Sequence, residues 1–297
     1  MPQLGGRTTQ LRSLSVAIST RDGGKVAGKV AFITGAARGQ GRSHAIRLAE
    51  EGADIIALDI AAQIDSVPYA MATEADLQET SHLVEKAGGR CLPIKADVRD
   101  IHALDDAVRA GVAEFGGIDI VIANAGILFF SAETETLEDS ARKFADATDV
   151  MLTGVFNTLR VTQQPLIDRG TGGSVILISS TAGLRGMLDG TGGLSGYCAS
   201  KHALVGLMRG YAKLLGKHKI RVNTIHPMGV ASPMLVNPEF EAFAAEHADV
   251  VDVSPRLVPV NLLEVGDVSA AVLWLVSDEA RYVTGISLPV DAGVTCA

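Results

Sequence analysis

Tyr197 and Lys201 stand four residues apart in the segment Tyr197-Cys198-Ala199-Ser200-Lys201. On a helix this spacing places both side chains on one face, one turn apart. A nearby ammonium stabilises a phenolate, so it lowers the pKa of a tyrosine from its ordinary value of about 10 towards neutrality. Such a tyrosine can exchange a proton with an alcohol or a carbonyl. Ordinary amphipathic helices also contain this pair, so the interpretation depends on the surrounding elements.

A glycine-rich turn near the start of the chain predicts a phosphate-binding site. An apolar run at 29–34 predicts a buried strand, and a helical pattern follows at 42–51. The start of such a helix offers unpaired N–H groups and the positive end of its dipole to a pyrophosphate, and glycines allow close approach. The predicted cofactor-binding residues of the turn are Gly35, Ala37, Arg38, Gly39, Gln40 and Gly41.

The next predicted strand, 54–58, indicates which nucleotide is bound. Asp59 follows it, about 20 residues past the glycines, where a carboxylate accepts hydrogen bonds from ribose hydroxyls and repels a 2′-phosphate. Arg38 is an opposing signal, because a basic side chain in the turn could pair with that phosphate. Ile60 provides no second cation. We therefore predict NAD rather than NADP, with Asp59 and Ile60 at the adenosine.

The remaining chain alternates strand and helix patterns. Strands are predicted at 92–96, 118–123, 174–179, 221–225 and 285–290, and helices at 74–86, 105–115, 137–160 and 265–277, the third of these interrupted near Thr153-Gly154. A glycine-rich loop at 181–196 leads into the helix of Tyr197, which runs to about 215. Residues 60–80 form a long, partly apolar connection that we expect to be ordered and to cover something. Residues 237–260 are expected to be irregular or helical, as in a mobile lid.

This order predicts an α/β fold: a single domain with a Rossmann-type, doubly wound parallel sheet of about seven strands flanked by helices. The domain is expected to cover 25–297, after a flexible N-terminal extension at 1–24. The composition agrees, with 47% hydrophobic residues, 4% aromatic residues and 32 glycines. Ligands of such sheets bind at the carboxyl ends of the strands. We expect Asp59, Asp97, Asn124, Ser180 and Pro227 at this edge. Asp97 and Val98 would lie near an adenine ring, and Asn124, Ala125 and Gly126 would leave room beside the cofactor.

Charge and cysteine usage argue against other classes of protein. The formal net charge of −8 argues against a nucleic-acid surface. The sequence contains no apolar run of about 18 residues, so we expect no membrane span. Cys91, Cys198 and Cys296 are scattered and odd in number, so they predict neither a disulfide framework nor a metal site. A reducing cytoplasm fits this usage.

Taken together, these motifs resemble those of classical short-chain dehydrogenases/reductases over about 25–293. The run from Thr34 to Gly41 matches the family's cofactor turn, Asn124-Ala125-Gly126 matches the segment after its fourth strand, and Ser180, Tyr197 and Lys201 match its catalytic residues. The resemblance implies that Tyr197 is the acid or base, that Lys201 lowers its pKa and binds the nicotinamide ribose, and that Ser180 orients the substrate oxygen. It also implies a homotetramer.

The segment from Pro227 to Ser232 resembles the loop after the family's sixth strand. There Val230 would meet the nicotinamide carboxamide, and Ser232 replaces the usual threonine. Apolar residues of the flanking segments, among them Leu188, Met228 and Met234, suggest a hydrophobic alcohol or ketone of the terpenoid or steroid kind. The same residues could instead belong to the core.

A narrower resemblance is to the mycofactocin-associated, carveol-dehydrogenase-like subgroup. The residues from Arg38 to Ala45, the long connection at 60–80 and the residues from Thr181 to Gly186 support it. In that subgroup NAD is held so tightly that it does not readily exchange, and the long connection is thought to help bury it. Electrons then leave through a redox peptide rather than through free NAD.

Two features depart from the family pattern. Met151 occupies the position of an asparagine that holds a water of the proton relay, and Asn157, nearly two turns on, is not expected to replace it. This leaves open an NAD-binding protein with weak or no activity, acting as a sensor or scaffold; an NAD-using epimerase or dehydratase is also open. Ser180 and Tyr197 are 17 residues apart, more than usual, and the glycine-rich loop is expected to absorb the difference.

Overall fold

The computed structural model describes residues 23–130, 135–187, 190–246 and 255–296. In these residues a parallel sheet of seven strands forms the centre of the molecule, as predicted. The strands are β1 (Val30–Thr34), β2 (Asp54–Asp59), β3 (Cys91–Lys95), β4 (Ile120–Ala123), β5 (Gly173–Ile178), β6 (Ile220–Pro227) and β7 (Ser287–Val290). Their order is β3-β2-β1-β4-β5-β6-β7, which is the doubly wound arrangement.

Helices cover both faces of the sheet, because central strands such as β1 and β4 are apolar and buried on both faces. The helices of the described chain are α1 (Gly39–Glu50), α2 (Glu74–Lys86), α3 (Ile101–Phe115), α4 (Leu137–Thr148), α5 (Gly154–Arg169), α6 (Gly192–Leu215), α7 (Pro238–Glu246) and α8 (Val265–Val276). In β1, Phe32 packs with the core formed by α3, α5 and α6, whereas its neighbour Ile33 packs with the core formed by α1, α2 and α8.

The predicted interruption of the helix at 137–160 is confirmed. A π-helical turn at Asp149–Thr153 separates α4 from α5. Gly154 begins α5, and a Cβ there would lie 2.6 Å from Cγ2 of Val98. The turn therefore lies close to Val98, three residues past the end of β3, near the carboxyl edge of the sheet.

The prediction of a glycine-rich loop at 181–196 was wrong for the second half of this range. Thr191 caps α6, and the helix begins at Gly192, so Gly192, Gly193 and Gly196 are helical. A Cβ on Gly196 would lie 2.8 Å from the carbonyl oxygen of Phe144, and one on Gly192 would overlap the backbone of Ser140. The glycines therefore allow α6 to pack closely on α4, and this tertiary contact outweighs their low helix propensity.

The long connection at 60–73 is ordered, as predicted, although it contains neither helix nor strand. Tyr69 is 4% exposed, and the Gln63 amide donates to the carbonyl oxygens of Ile64 and Val67, at 3.1 Å each. The connection, called the 60–73 segment below, ends at α2, whose N-terminus has a capping box formed by Thr73 and Asp76.

Some predictions concern residues that the structure does not describe: most of the extension at 1–24, Leu188, and 247–254 of the expected lid. The described start of that lid is the helix α7. The domain boundary at 25 stays a prediction. Among the described residues, no helix is long and apolar enough to cross a membrane.

Candidate active site

The glycine turn and the segment after β4 are joined by hydrogen bonds. The Asn124 amide donates to the carbonyl oxygens of Thr34 and Gly35, at 3.0 and 3.1 Å. Gly35 has a φ of 65°, and a Cβ there would lie 2.8 Å from Cα of Ala125. A Cβ on Gly41 would overlap the Gly35 carbonyl oxygen. Gly41 and Asn124 thus shape the turn from two sides.

A cavity lies beside this turn at the carboxyl edge of the sheet, and we call it the glycine-turn cavity. Predicted cofactor-binding residues that line it are Gly35, Arg38, Gly39, Gln40, Asp59, Ile60, Asp97, Val98, Asn124, Ala125, Gly126 and Ser232. The 60–73 segment contributes Ile64, Tyr69, Met71 and Ala72. The expectation that this segment covers something is therefore confirmed.

Asp59 is buried at the end of β2, and backbone groups fix its carboxylate. Oδ2 accepts a hydrogen bond from the N–H of Ala37, and Oδ1 accepts one from the N–H of Ala61, each at 3.0 Å. Arg38 points to the 60–73 segment, where Nη2 donates to the Ala70 carbonyl oxygen at 2.6 Å. Ala37 and Gly41, which were predicted to bind the cofactor, are buried and do not line the cavity. Ala37 instead orients Asp59, and Gly41 packs against the main chain of Gly35.

The glycine-turn cavity fits a dinucleotide. Oε1 of Gln40 is buried and accepts no hydrogen bond from the described residues, although Gln40 faces the cavity. A ligand donor would satisfy this oxygen, since buried polar atoms are almost always paired. Glycines at 35 and 39 keep side-chain atoms away from the backbone beside α1, where phosphates bind. The residues present therefore match the group that the sequence predicted.

A second cavity adjoins the first, and we call it the Tyr197 cavity. It shares Gln40, Ser232 and Met234 with the glycine-turn cavity. Other predicted site residues that line it are Ser180, Tyr197, Pro227, Met228 and Val230. Met228 and Met234 are therefore wall residues, as predicted, whereas Leu188 lies outside the described chain.

The structure brings Ser180 and Tyr197 together despite their separation of 17 residues. Both side chains line the Tyr197 cavity, and Ser180 Oγ accepts a hydrogen bond from the N–H of Ala182, at 3.1 Å. Burial raises the pKa of Tyr197 above its ordinary value, and the nearby Ser180 hydroxyl opposes this. The expected lowering of that pKa by Lys201 is therefore wrong for the protein chain alone, because desolvation is the larger effect.

Lys201 lies beneath Tyr197 and lines neither cavity. Nζ is 5.6 Å from the centre of the Tyr197 ring and donates to the Ile178 carbonyl oxygen at 2.8 Å. Burial lowers the pKa of Lys201 to about 8. The ammonium is thus partly desolvated and oriented by the end of β5.

His226, which the sequence reasoning missed, supports Ser180 from the adjacent strand. Nδ1 lies 2.8 Å from the Ser180 carbonyl oxygen, and Nε2 lies 2.8 Å from Oγ1 of Thr224. Because a carbonyl oxygen only accepts, Nδ1 carries the hydrogen and Nε2 accepts from Thr224. Burial lowers the pKa of His226, which keeps the ring neutral.

The departure at Met151 persists in the structure. Met151 is 0% exposed within the π-helical turn, and its sulfur would lie 3.7 Å from a Cβ on Gly126. The Asn157 amide donates to the carbonyl oxygen of Val98 at 3.0 Å. As expected, Asn157 does not replace the missing asparagine.

Several wall residues carried no motif. Phe130 stacks on Tyr69 with ring centres 6.0 Å apart and meets Phe240 of α7 at 5.3 Å. Further lining residues of the Tyr197 cavity are Leu128, Phe129, Met187, Leu194, Phe243, Arg256, Leu262 and Val294. The Phe129-Phe130 pair, which begins three residues after Gly126, was the available signal. In the described chain, no group of three or more His, Cys, Asp or Glu residues could hold a metal ion, and Cys91, Cys198 and Cys296 form no disulfide.

Comparison with known proteins agrees with this architecture. A family model described as enoyl-(acyl carrier protein) reductase matches residues 35–295. An uncharacterised oxidoreductase of Mycobacterium tuberculosis is 52% identical over 90% of this chain and 96% of its own length. The (−)-trans-carveol dehydrogenase of Rhodococcus erythropolis is 42% identical over 91% of this chain and 99% of its own.

A solved structure gives the same result. A short-chain dehydrogenase from Mycobacterium paratuberculosis, bound to NAD, superimposes with a TM-score of 0.83 at 43% identity, covering 92% of this chain and 100% of that one. Fold, turn and sequence thus agree over nearly the whole described chain. The protein belongs to the short-chain dehydrogenase/reductase family of oxidoreductases.

Proposed function

We propose that the protein interconverts a hydrophobic secondary alcohol and its ketone by hydride transfer with NAD. The observation that carries this proposal is that Tyr197 and Ser180 line one cavity, close enough for the Ser180 hydroxyl to act on the pKa of Tyr197. These two groups can hold the oxygen of an alcohol or a carbonyl. The glycine-turn cavity, which suits a dinucleotide, adjoins them through Gln40 and Ser232.

NAD is supported by Asp59 and by the NAD-bound relative. The residues that would hold it are those of the glycine-turn cavity, with the Asp59 carboxylate at the adenosine ribose, where it disfavours a 2′-phosphate. Lys201, Pro227, Val230 and Ser232 would lie at the nicotinamide end. When bound, NAD accepts or supplies the hydride, and the protein contributes position and electrostatics.

Tyr197 is the proton donor in the direction of reduction. Because burial raises its pKa, the phenol is protonated at neutral pH and can donate to a carbonyl oxygen that Ser180 also binds. Lys201, with its pKa lowered to about 8, is mostly cationic at pH 7 and stabilises the phenolate left behind. In the direction of oxidation, that phenolate takes the proton of the alcohol.

The walls of the Tyr197 cavity support a hydrophobic substrate. Phenylalanine, leucine and methionine side chains make up half of its described lining. An alcohol of terpenoid or steroid size suits such a wall, in line with the carveol dehydrogenase relative. Substrate contacts by Met228 and Met234 follow from this assignment.

The proposal extends to how NAD is retained. The 60–73 segment lies over the glycine-turn cavity, tied by Arg38 to Ala70 and by the Tyr69 hydroxyl, which accepts from the N–H of Leu128 at 3.2 Å. These contacts support tightly held, non-exchanging NAD that is reoxidised in place by a redox peptide. A homotetramer in the cytoplasm completes this proposal.

Met151 supports a second candidate function. Without the relay asparagine, and with Asn157 bound elsewhere, the protein could hold NAD as a sensor or scaffold with little turnover. An epimerase or dehydratase would use the same site and differs only in the reaction of the substrate. Turnover measurements separate these candidates.

The test is Tyr197→Phe, compared with Tyr282→Phe, whose side chain is 88% exposed. Turnover of hydrophobic secondary alcohols is measured with an artificial electron acceptor, and NAD is quantified in the supernatant after denaturation. We expect turnover to fall by about 10²- to 10⁴-fold in Tyr197→Phe, with NAD content as in the wild type, and to stay unchanged in the control.

Unchanged turnover in Tyr197→Phe would contradict the mechanism. A wild-type protein that contains NAD but turns over no alcohol or ketone would favour the sensor or scaffold. A wild-type protein purified without NAD would contradict tight retention and leave an ordinary dehydrogenase that exchanges free NAD.

A further inference from the structure

Arg256 introduces a charge into the Tyr197 cavity. It follows α7 in the chain and lines the cavity together with Tyr197 and Ser180. Among the described lining residues it is the only one with an ionisable carboxylate, amine or guanidinium. The others are apolar or carry uncharged hydroxyl, phenol or amide groups. A cation in such a wall is costly unless something pairs with it.

Nothing in the described part of the chain pairs with this guanidinium. Nε of Arg256 is buried and has no hydrogen-bond partner. Arg185 provides a contrast, since its Nη1 donates to the Val294 carbonyl oxygen at 3.4 Å and its charge acts on Asp291. Two arginines therefore approach the C-terminal segment, and the one that faces the cavity is left with an unsatisfied donor.

The backbone beside Arg256 is anchored. The N–H groups of Leu257 and Val258 both donate to the Ala292 carbonyl oxygen, at 2.9 and 3.0 Å. The Leu257 side chain occupies the space beside Gly293, where a Cβ would lie 2.7 Å from its Cγ. Val294 of the same C-terminal segment lines the cavity. The guanidinium is therefore presented to the cavity from a hydrogen-bonded segment.

We infer that Arg256 binds a carboxylate of the substrate, so that the natural alcohol or ketone is a hydrophobic hydroxy or keto acid. This inference rests on the proposed function and names its substrate class. A guanidinium matches a carboxylate with two parallel hydrogen bonds. A single cation balances one negative charge, whereas a phosphate monoester carries nearly two near pH 7. A carboxylate is thus the better match to this wall.

The carboxylate takes no part in the chemistry. Hydride leaves the carbinol carbon for NAD, the hydroxyl proton goes to Tyr197, and the acid group remains ionised throughout. Arg256 therefore acts on substrate binding and orientation. Removing it should raise KM for acids more than it lowers kcat.

The test compares 4-hydroxycyclohexanecarboxylate with its methyl ester, which has the same ring and alcohol but no charge. The variants are Arg256→Met, which keeps the length of the side chain, Arg256→Lys, which keeps the charge, and Arg281→Met, which removes an exposed arginine elsewhere. For each, kcat/KM is measured for both alcohols. Binding of 4-oxocyclohexanecarboxylate and its methyl ester to the NAD-loaded protein is measured by calorimetry.

The wild type is expected to prefer the acid to the ester. In Arg256→Met the ratio of kcat/KM for acid over ester should fall about 10- to 100-fold, mainly through KM, as for loss of a hydrogen bond to a charged group. Arg256→Lys should restore part of the ratio, and Arg281→Met should leave it unchanged. The ratio of binding constants should move in parallel.

A wild type that prefers the ester, or an equal loss for acid and ester in Arg256→Met, would overturn the inference. If no variant or wild type turns over either alcohol, the proposed function fails. The calorimetric preference for the keto acid, and its loss in Arg256→Met, then still decides the role of Arg256.

Discussion

The two adjoining cavities are built in different ways. The glycine-turn cavity is formed mainly by backbone and strand ends, and hydrogen bonds such as those from Asn124 to Thr34 and Gly35 fix its shape. The Tyr197 cavity is formed mainly by large side chains from loops and from α7, such as Phe130 and Phe240. The backbone part of the first cavity can be altered only by moving the main chain, whereas the second cavity can be altered by exchanging side chains. Substitutions of side chains should therefore change substrate choice more readily than cofactor binding.

Charge follows the same division. In the glycine-turn cavity Asp59 accepts two backbone N–H groups, Asp97 pairs with Arg99 at 2.6 Å, and Arg38 donates to Ala70. In the Tyr197 cavity Arg256 keeps an unsatisfied Nε. The bonded charges of the glycine-turn cavity stabilise its shape, whereas the unsatisfied donor of Arg256 is available to a charged ligand.

Gly41→Ala should break the glycine-turn cavity and has the largest expected effect. The new Cβ would overlap the Gly35 carbonyl oxygen and lie 2.8 Å from Nδ2 of Asn124, and no flexible side chain can yield. Overpacking of this kind costs about 3 kcal/mol, or about 100-fold in NAD affinity if the turn must shift to relieve it. The dissociation constant of NAD is measured after the bound NAD has been removed.

Gly206→Ala is the matched control, because Gly206 is exposed on α6 and a Cβ there meets nothing within 4 Å. It should leave NAD affinity unchanged and raise stability by about 0.5–1 kcal/mol. Equal NAD affinity in Gly41→Ala and Gly206→Ala would show that NAD binding does not depend on the close approach of Gly41 to the main chain of Gly35.

His44 should make the glycine-turn side of the molecule sensitive to acid. It lies in α1, its Nδ1 is 2.8 Å from Oγ of Ser269 in α8, and burial lowers its pKa to about 3. The unfolded chain binds the proton below about pH 6.5 and the folded chain does not, so stability falls as the pH decreases from 6.5 towards 3. At pH 5 the loss should be about 2 kcal/mol.

Urea denaturation of the wild type and His44→Gln at pH 7.5 and pH 5 measures this loss. His44→Gln should lose about 2 kcal/mol less between the two pH values than the wild type, whereas His102→Gln, at an exposed position of α3, should behave like the wild type. The same acid loss in His44→Gln and in the wild type would assign the acid sensitivity to other groups.

The difference between the cavities also explains what the sequence could predict. Continuous apolar runs such as that of β1 give strands of a buried parallel sheet, and the capping box of Thr73 and Asp76 places the start of α2 at the predicted residue. The glycine-turn cavity depends on residues at the ends of such strands, so its wall follows from strand prediction. Asp59, Asp97 and Asn124 were found in this way.

The wall of the Tyr197 cavity was less accessible to prediction. Arg256 and Val294 come from segments without a periodic pattern, and hydrogen bonds from Leu257 and Val258 to Ala292 tie the two segments together beside the cavity. The direction of the Tyr197 pKa shift also failed, because burial is a property of the folded molecule. His226 was missed because a lone histidine in a strand gives no sign of the carbonyl that it binds.

Gly193→Ala should alter the Tyr197 cavity alone, with a smaller effect. Gly193 lies in the first turn of α6, where a Cβ would lie 2.6 Å from Cγ of Phe129. The ring of Phe129 lines the Tyr197 cavity, so its displacement should disturb substrate placement and lower kcat/KM by about 10-fold. NAD affinity should stay within about twofold of the wild type, since Phe129 does not line the glycine-turn cavity.

Gly210→Ala, further along α6 and with nothing within 4 Å of its Cβ, should leave both quantities unchanged. A parallel loss of NAD affinity in Gly193→Ala would mean that the two cavities deform together. Loss of kcat/KM alone would show that side-chain contacts from α6 shape the substrate wall independently of the backbone that holds the cofactor.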